Sequence, residues 1–153
     1  MGSVEHIERV TDLRVWLGDI PVSHLYTMGV AGERFFREIK ENGRFLGARC
    51  EACAYTYLPP SLFCPRCFAK LDDWREVGPA GTVRARTLVH VDLDGRRLEE
   101  PIAVGLVQLD GADGVFVHRL AEGVEVGQRV TAAFKEPRQR TGSILDIEQF
   151  RPL

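Results

Sequence analysis

The pattern of hydrophobic and polar residues changes twice along the chain and divides it into three segments. In the first segment, Phe35, Phe36 and Ile39 fall on one side of a helix, and Asn42-Gly43 forms a stop signal. This spacing predicts a helix over residues 29–43. Its apolar side must be covered by another surface, because a short isolated helix is only marginally stable in water.

The last segment, residues 77–153, shows the alternation typical of β-strands. From Thr82 to Asp92, small or branched side chains occupy the odd positions, so Arg84 and Arg86 are predicted to share the other face. Turn sequences such as Asp94-Gly95 recur at short spacing. The same pattern predicts four more strands, at residues 102–109, 115–120, 129–135 and 144–150. Such short strands, joined by tight turns, predict a small Greek-key barrel of the OB type.

The middle segment, residues 44–76, is too short to bury a core of its own. It contains all the cysteines of the chain, arranged as two Cys-x-x-Cys knuckles: Cys50, Cys53, Cys64 and Cys67. Paired knuckles separated by a short loop predict a tetrathiolate metal site of the zinc-ribbon type. Four sulfur ligands close the coordination sphere, so the metal is predicted to be structural. Iron stays an alternative, because ligand type alone does not separate it from zinc.

These segments together predict a mainly β protein with a short N-terminal helical region. Residues 1–43 are predicted to form a leader and helix, residues 44–76 a rubredoxin-like zinc ribbon, and residues 77–153 a five-stranded OB-fold domain. The ribbon depends on its metal for folding, since structural zinc contributes on the order of 10 kcal/mol to such small units.

Composition excludes several classes of protein. The chain has 153 residues, of which 44% are hydrophobic and 27% charged, with a net charge of −2. No apolar run approaches the roughly 20 residues that cross a bilayer, and the N-terminus lacks a signal-peptide pattern. We therefore expect a cytoplasmic protein without membrane attachment, in which the cysteines bind metal instead of forming disulfides. The near-neutral charge argues against non-specific nucleic-acid binding.

No catalytic residue is predicted. The thiols are committed to the metal, and the histidines are scattered along the chain: His6, His24, His90 and His118. The sequence contains no phosphate-binding glycine loop, no Gly-x-Ser-x-Gly motif and no His-Glu-x-x-His motif. Any activity is therefore expected to come from residues other than the cysteines.

Short motifs occur in a fixed order over nearly the whole chain. They are Gly47-x-x-Cys50-x-x-Cys53, Pro59-Pro60, Cys64-Pro65-x-Cys67, Trp74, Gly78-x-x-Gly81-x-Val83, Pro101, and Val126-Gly127-x-x-Val130. Their order and spacing resemble the acyl-CoA-associated proteins grouped as DUF35, in which a helical leader, a rubredoxin-like zinc ribbon and an OB fold follow one another. One departure is Ala54, where many members carry glycine after the second cysteine.

The resemblance implies an accessory subunit. Family members pair with a thiolase-like protein that carries the catalytic residues and makes or cleaves a carbon–carbon bond next to a CoA thioester. The chain would then belong to a hetero-oligomer, help to bind acyl-CoA or CoA, and stabilise the complex. An accessory subunit of a hot-dog-fold enoyl-CoA hydratase is one alternative. A zinc-ribbon and OB-fold nucleic-acid-binding module is another, although Phe116, Phe134 and Phe150 are predicted to be core residues instead of a stacking surface.

Two surfaces are candidates for these interactions. The leader at residues 16–28, the Phe35-Phe36 pair and the loop at residues 55–63 are expected to dock the partner, unless they cover one another. Cationic side chains are expected to bind the phosphates of CoA: Arg138 and Arg140 from the basic loop Pro137–Gly142, with Arg84 and Arg86 added. The alternative for each arginine is a solvated surface position.

Overall fold

The computed structural model describes residues 26–153, so most of the predicted leader lies outside the described residues. The described residues form one α-helix and eight strands: α1 (Gly29–Asn42), β1 (Phe45–Cys50), β2 (Tyr55–Tyr57), β3 (Asp73–Val77), β4 (Ala80–Val91), β5 (Arg97–Leu109), β6 (Phe116–Arg119), β7 (Arg129–Phe134) and β8 (Ile147–Pro152). The predicted fold class is confirmed: the chain is mainly β, with a four-cysteine zinc-ribbon region followed by a five-stranded OB-fold domain.

The helix α1 covers the core with one side. It buries Ala31, Phe35 and Ile39, which lie four residues apart and therefore on one face. It ends where Gly43 takes up a left-handed conformation with φ of 61°, and the Gly43 N–H donates to the carbonyl oxygen of Ile39. The expected exposure for docking is wrong for Phe35, and Phe36 is half-buried. Phe35 is buried in the core of the protein itself, and Phe36 packs against the same core.

The zinc ribbon is a three-stranded antiparallel sheet in the order β2-β1-β3. Cys50 at the end of β1 pairs with Tyr55, so the first knuckle is the turn between these strands. On the other edge of β1, Phe45 pairs with Val77 and thereby brings the end of the ribbon to the start of the barrel.

The barrel is a five-stranded sheet in the order β6-β5-β4-β7-β8. A parallel bridge between Leu120 and Phe150 brings the end of β6 to β8 and closes the barrel. β4 and β5 remain paired as far as Val91 and Arg97, well beyond the last pairs that either strand makes with β7 or β6. The distal part of this hairpin therefore extends past the closed barrel.

A β-bulge at Arg84 changes the facing of β4. Val83 pairs with Val107, but the next pair is Ala85 with Leu106, so Arg84 is the extra residue. Past the bulge, Arg86 pairs with Gly105, which lies two residues from Val107 and on the same face. The prediction that both arginines share an outer face is therefore wrong, because the bulge turns the side chain of Arg86 to the face that carries the core.

Two strands begin more than two residues away from their predicted starts. β5 begins at Arg97 and not at residue 102, because it continues along β4 in the extended hairpin. The last strand begins at Ile147 and not at residue 144, because Ser143 caps a single 3-10 turn over Ile144–Asp146.

The loop between β7 and β8 is held by a buried carboxylate. Asp146 accepts hydrogen bonds from the backbone N–H groups of Thr141, Gly142 and Ser143. Burial alone would raise the pKa of Asp146, but these hydrogen bonds outweigh it and hold the pKa below its usual value. The ionised carboxylate thus stabilises the fold above its unfolded-state pKa, and that contribution is lost as the pH falls through the lower folded-state pKa.

One hydrophobic core joins the helix, the ribbon and the barrel. It is formed by buried residues from all three parts, among them Ile39 from α1, Phe45, Leu58 and Val77 from the ribbon, and Val83, Val107, Phe116, Val130 and Phe150 from the barrel. A second, smaller core lies under the cysteines and contains Ala48, Cys50, Cys64 and Leu71. Helix, ribbon and barrel therefore share the larger core, while the cysteines lie in a smaller core of the ribbon. Among the described residues, no helix is both long enough and apolar enough to cross a membrane.

Candidate metal centre and ligand-binding surfaces

The four cysteines converge at one end of the ribbon. Their Sγ atoms all lie within 4.8 Å of one another, and none forms a disulfide. The Sγ atoms of Cys50 and Cys67 are 3.5 Å apart, and those of Cys53 and Cys64 are 3.8 Å apart. A tetrahedron with metal–sulfur bonds of about 2.3 Å has edges of about 3.8 Å, so the thiols fit a tetrathiolate site.

Hydrogen bonds around Cys64 favour its ionised form. The Tyr57 hydroxyl oxygen lies 3.2 Å from the Cys64 Sγ. Burial opposes ionisation, but hydrogen bonds from this hydroxyl and from the backbone N–H groups of Cys67 and Arg66 lower the pKa of Cys64 to about 6. Hydrogen bonds among the thiols, Cys67 foremost, and burial raise the pKa of Cys53 to about 12. Metal binding would therefore release protons and begin from a site that already favours one thiolate.

Both knuckles end on a strained residue. Ala54 follows Cys53 with φ of 50°, and Phe68 follows Cys67 with φ of 60°. Glycine is the residue that adopts this left-handed conformation without penalty, whereas other residues lose roughly 1–2 kcal/mol. Phe68 therefore holds the same left-handed position after the second knuckle that Ala54 holds after the first.

Few side chains cover the metal centre. Tyr57 and Trp74 pack against its small core, and the guanidinium of Arg34 lies 4.5 Å from the centre of the Trp74 ring. The guanidinium of Arg66 stacks in the same way 4.1 Å above the ring of Tyr55. These contacts fasten α1 and the second knuckle to the ribbon.

Exposed apolar side chains occur next to the metal centre. Phe63 precedes the second knuckle and is 53% exposed, and Phe68 follows it and is 80% exposed. We call these two residues the knuckle patch. Met28 and Val30 at the start of α1 are also exposed. The sequence analysis missed Phe68, although its position directly after a Cys-x-x-Cys pair, where the backbone favours glycine, was a readable signal.

The arginines of the loop between β7 and β8 differ in their contacts. Arg138 is exposed at the 3-10 turn Pro137–Gln139 and makes no hydrogen bond or ion pair with the described residues. Arg140 donates from Nε to the carbonyl oxygen of Lys135 at 2.7 Å and packs against Gly43. Arg138 is therefore available to a ligand, whereas Arg140 supports the loop.

The arginines of β4 lie elsewhere. Arg84 donates from Nε to the Gln108 side chain at 2.9 Å on the outer face. Arg86 lines a cavity together with Arg119 of β6, a residue that the sequence analysis did not single out. β7 continues past the start of β4 before it ends, so the loop that follows it lies at the end of the barrel opposite to Arg86. There the loop packs on α1. The four predicted arginines are thus not brought into one phosphate site.

Models of two protein domain families match this chain, one over each of its two sheets. Residues 37–72 match the ChsH2 rubredoxin-like zinc ribbon domain, and residues 74–135 match the ChsH2 C-terminal OB-fold domain. The second match ends before the loop that carries Arg138.

The chain is similar to a curated protein and to solved structures. A DUF35 domain-containing scaffold protein of Methanocaldococcus jannaschii is 29% identical over 126 residues, which is 78% of this chain and 89% of that protein. A crystal structure of a DUF35 family protein of unknown function from Sulfolobus solfataricus superposes with a TM-score of 0.63 at 22% identity, covering 81% of this chain and 86% of that one. A chain of the Ltp2-ChsH2(DUF35) aldolase superposes with a TM-score of 0.59 at 24% identity, covering 84% and 98%. At these identities the two structures show a shared fold.

Proposed function

Since the chain belongs to the DUF35 family, we propose that it is a non-catalytic, zinc-binding accessory subunit of a thiolase-type acyl-CoA complex. Its partner would make or cleave a carbon–carbon bond next to a CoA thioester. The relative from Methanocaldococcus jannaschii is named a scaffold protein, and one similar structure joins a DUF35 component to Ltp2 in an aldolase. These names support a scaffold role and an aldolase- or thiolase-type partner.

The observation that carries the proposal is Phe68. A bulky aromatic residue at positive φ is a conformational outlier, and it is here also almost fully exposed to solvent. Strain of this kind persists where function requires the side chain. Together with Phe63 it offers aromatic surface of the type that is enriched in the centres of protein interfaces. The knuckle patch is therefore the proposed docking contact for the catalytic partner.

The chemistry of the described side chains is consistent with a partner that supplies catalysis. All four thiols converge on the metal centre, and a thiolate bound to metal in a closed site is not a nucleophile toward an acyl group. His118 is buried on β6, with Nε2 3.4 Å from the carbonyl oxygen of Ile144.

The proposal names zinc as the metal and Cys50, Cys53, Cys64 and Cys67 as its ligands. Four thiolates in tetrahedral geometry form a closed site that suits structural zinc, and the same ligands also accept iron. Bound zinc would supply folding energy and no chemical step. Metal content and the visible absorption spectrum of the purified protein distinguish the two metals.

Contact with CoA is a second part of the proposal. Among the four arginines considered, Arg138 has the exposed and unpaired guanidinium that a phosphate requires. In the assembled complex, Arg138→Ala is expected to raise the KM for acyl-CoA about ten-fold, the loss of one charge-assisted hydrogen bond. The matched control is Arg97→Ala, which removes an exposed arginine from β5. An unchanged KM in the Arg138 variant would remove this loop from the CoA site.

The partner is tested by mild purification from the native cell and mass spectrometry of proteins retained at stoichiometric level. Retention of a thiolase-like protein would support the proposal. Retention of a hot-dog-fold hydratase would mean that the complex adds water, and retention of nucleic acid would contradict an accessory role. The nucleic-acid outcome is not expected, because Phe116 and Phe150 are buried and leave the barrel without a stacking platform on those strands.

The knuckle patch is tested in the same purification. Phe68→Ala is expected to weaken partner binding about 30-fold, as removal of an interface hot spot does. The matched control is Leu93→Ala, which removes a fully exposed apolar side chain at the far tip of the β4–β5 hairpin. Equal partner retention by both variants would show that the knuckle patch is not the docking contact.

A further inference from the structure

A cavity of about 620 Å³ opens at the end of the barrel that lies away from α1. We call it the barrel-end cavity, and its lining includes Arg86, Leu88, Pro101, Ala103, Arg119 and Leu120. The extended hairpin of β4 and β5 forms one wall, and the end of β6 forms the other. Its volume is in the range that protein sites for small molecules occupy.

The β-bulge places a charged group inside this cavity. Because Arg84 is the extra residue, Arg86 falls on the core face of β4, opposite Gly105. A side chain at Gly105 would collide with Leu120, whose nearest atom lies 2.6 Å from the position of a Cβ. The glycine thus lets Leu120 pack onto β5 as the apolar floor beside the guanidinium.

The guanidinium of Arg86 is incompletely satisfied. Its Nε is buried and has no hydrogen-bond partner among the described residues. The guanidinium forms a long ion pair with exposed Glu125, whose carboxylate oxygen lies 3.9 Å from Nη1, but this distance is too long for a hydrogen bond. Buried donors in native proteins are nearly always paired, so an unpaired one at a cavity wall marks the place of an absent acceptor.

The residues around Arg86 indicate which chemical group would accept its hydrogen bonds. The Nε edge of a guanidinium offers two parallel N–H groups, which match the two oxygens of a carboxylate. Arg119 also lines the cavity, and its pairing with Val104 puts its side chain on the outer face of the sheet, so it adds positive charge beside the cavity. Glu100 and Glu122 also line the cavity and are exposed, and their charges would repel a ligand with several negative charges. The apolar residues Leu88 and Leu120 suit a hydrocarbon stem.

We infer that the barrel-end cavity binds a small monocarboxylate with a short apolar chain, held at its carboxylate by Arg86. This site is separate from the loop proposed to contact CoA, and it does not depend on the identity of the catalytic partner. The carboxylates of Glu100 and Glu122 in its lining distinguish the cavity from a phosphate site.

The test is an NMR titration of the full, zinc-loaded chain. The Nε–H resonance of Arg86, assigned by its absence in Arg86→Lys, is followed during addition of hexanoate, acetate, inorganic phosphate and CoA. Hexanoate is expected to shift this resonance saturably and to bind at least ten-fold more tightly than acetate, because its chain buries apolar surface. A resonance that does not respond to hexanoate, or that responds more tightly to phosphate or CoA, would overturn the inference.

Variants test the residue assignment. Arg86→Gln is expected to abolish hexanoate binding, and the matched control Arg84→Gln, on the outer face two residues away, is expected to leave the Kd within two-fold. Retained binding in Arg86→Gln would also overturn the inference. If Arg86→Gln does not fold, Arg119→Gln replaces it: this residue is exposed on β6, and its variant is expected to fold and to bind hexanoate several-fold more weakly. Unchanged binding in Arg119→Gln would count against the site.

Discussion

Replacement of Cys64 by serine is expected to abolish metal binding and to unfold the ribbon. Cys64 is fully buried and belongs to a core of only four buried residues, two of which are cysteines. Such a core cannot offset the conformational entropy of the ribbon, so most of the stabilisation must come from the metal, on the order of 10 kcal/mol. A protein with a typical total stability of about 5–15 kcal/mol has little left after that loss.

The effect is expected to spread beyond the ribbon. Phe45, Leu58 and Val77 belong to the ribbon but pack in the core of the barrel. When the ribbon unfolds, these side chains leave that core together, and the barrel loses part of its packing. Chelation of the metal from the wild-type protein should produce the same result as the Cys64→Ser substitution.

Metal content and circular dichroism measure this prediction. Tyr57→Phe is the matched control, because it removes the hydroxyl next to the Cys64 Sγ and keeps all four ligands. This control is expected to retain stoichiometric metal and a normal spectrum. Normal metal content and a normal spectrum in Cys64→Ser would show that the four thiols do not form the metal site.

The sequence was sufficient to predict local features. The two knuckles predicted the convergence of four thiols, because each Cys-x-x-Cys turn places its own two thiols close together. Only the contact between the two turns had to be inferred. The helix α1 was equally readable, since its apolar spacing and its terminal Asn42-Gly43 agree with the observed end at Asn42. In both cases the decisive interactions are close in sequence.

Features that depend on pairing between distant strands were not readable. A period-two pattern assumes an uninterrupted ladder. The extra residue at Arg84 reverses the facing of the side chains that follow it in β4, until the ladder shifts again after Val89. The pairing of Arg86 with Gly105, and its place in a cavity with Arg119, follow from that bulge. The burial of Phe35 likewise depends on contacts with barrel residues that lie far away in the sequence.

Phe45 is the residue at which the three parts of the protein meet. Its ring lies 6.3 Å from that of Phe35 in α1, and 5.5 Å, 5.1 Å and 6.5 Å from those of Phe116, Phe134 and Phe150 in the barrel. The side chain itself is fully buried at the first position of β1. An accessory subunit that presents a docking surface on its ribbon needs this connection, because a ribbon that moved freely could not hold a partner at a fixed place.

Phe45→Ala is therefore expected to destabilise the protein by about 3–5 kcal/mol, the usual cost of removing a buried phenylalanine and leaving a cavity. Urea unfolding measures this as a lower midpoint with an unchanged slope. Phe68→Ala is the matched control: the same substitution at an exposed position should change the free energy of unfolding by less than about 1 kcal/mol. Equal midpoints for the two variants would contradict the shared core, whereas a Phe45 variant that unfolds in two separate steps would show that this ring is what couples ribbon to barrel.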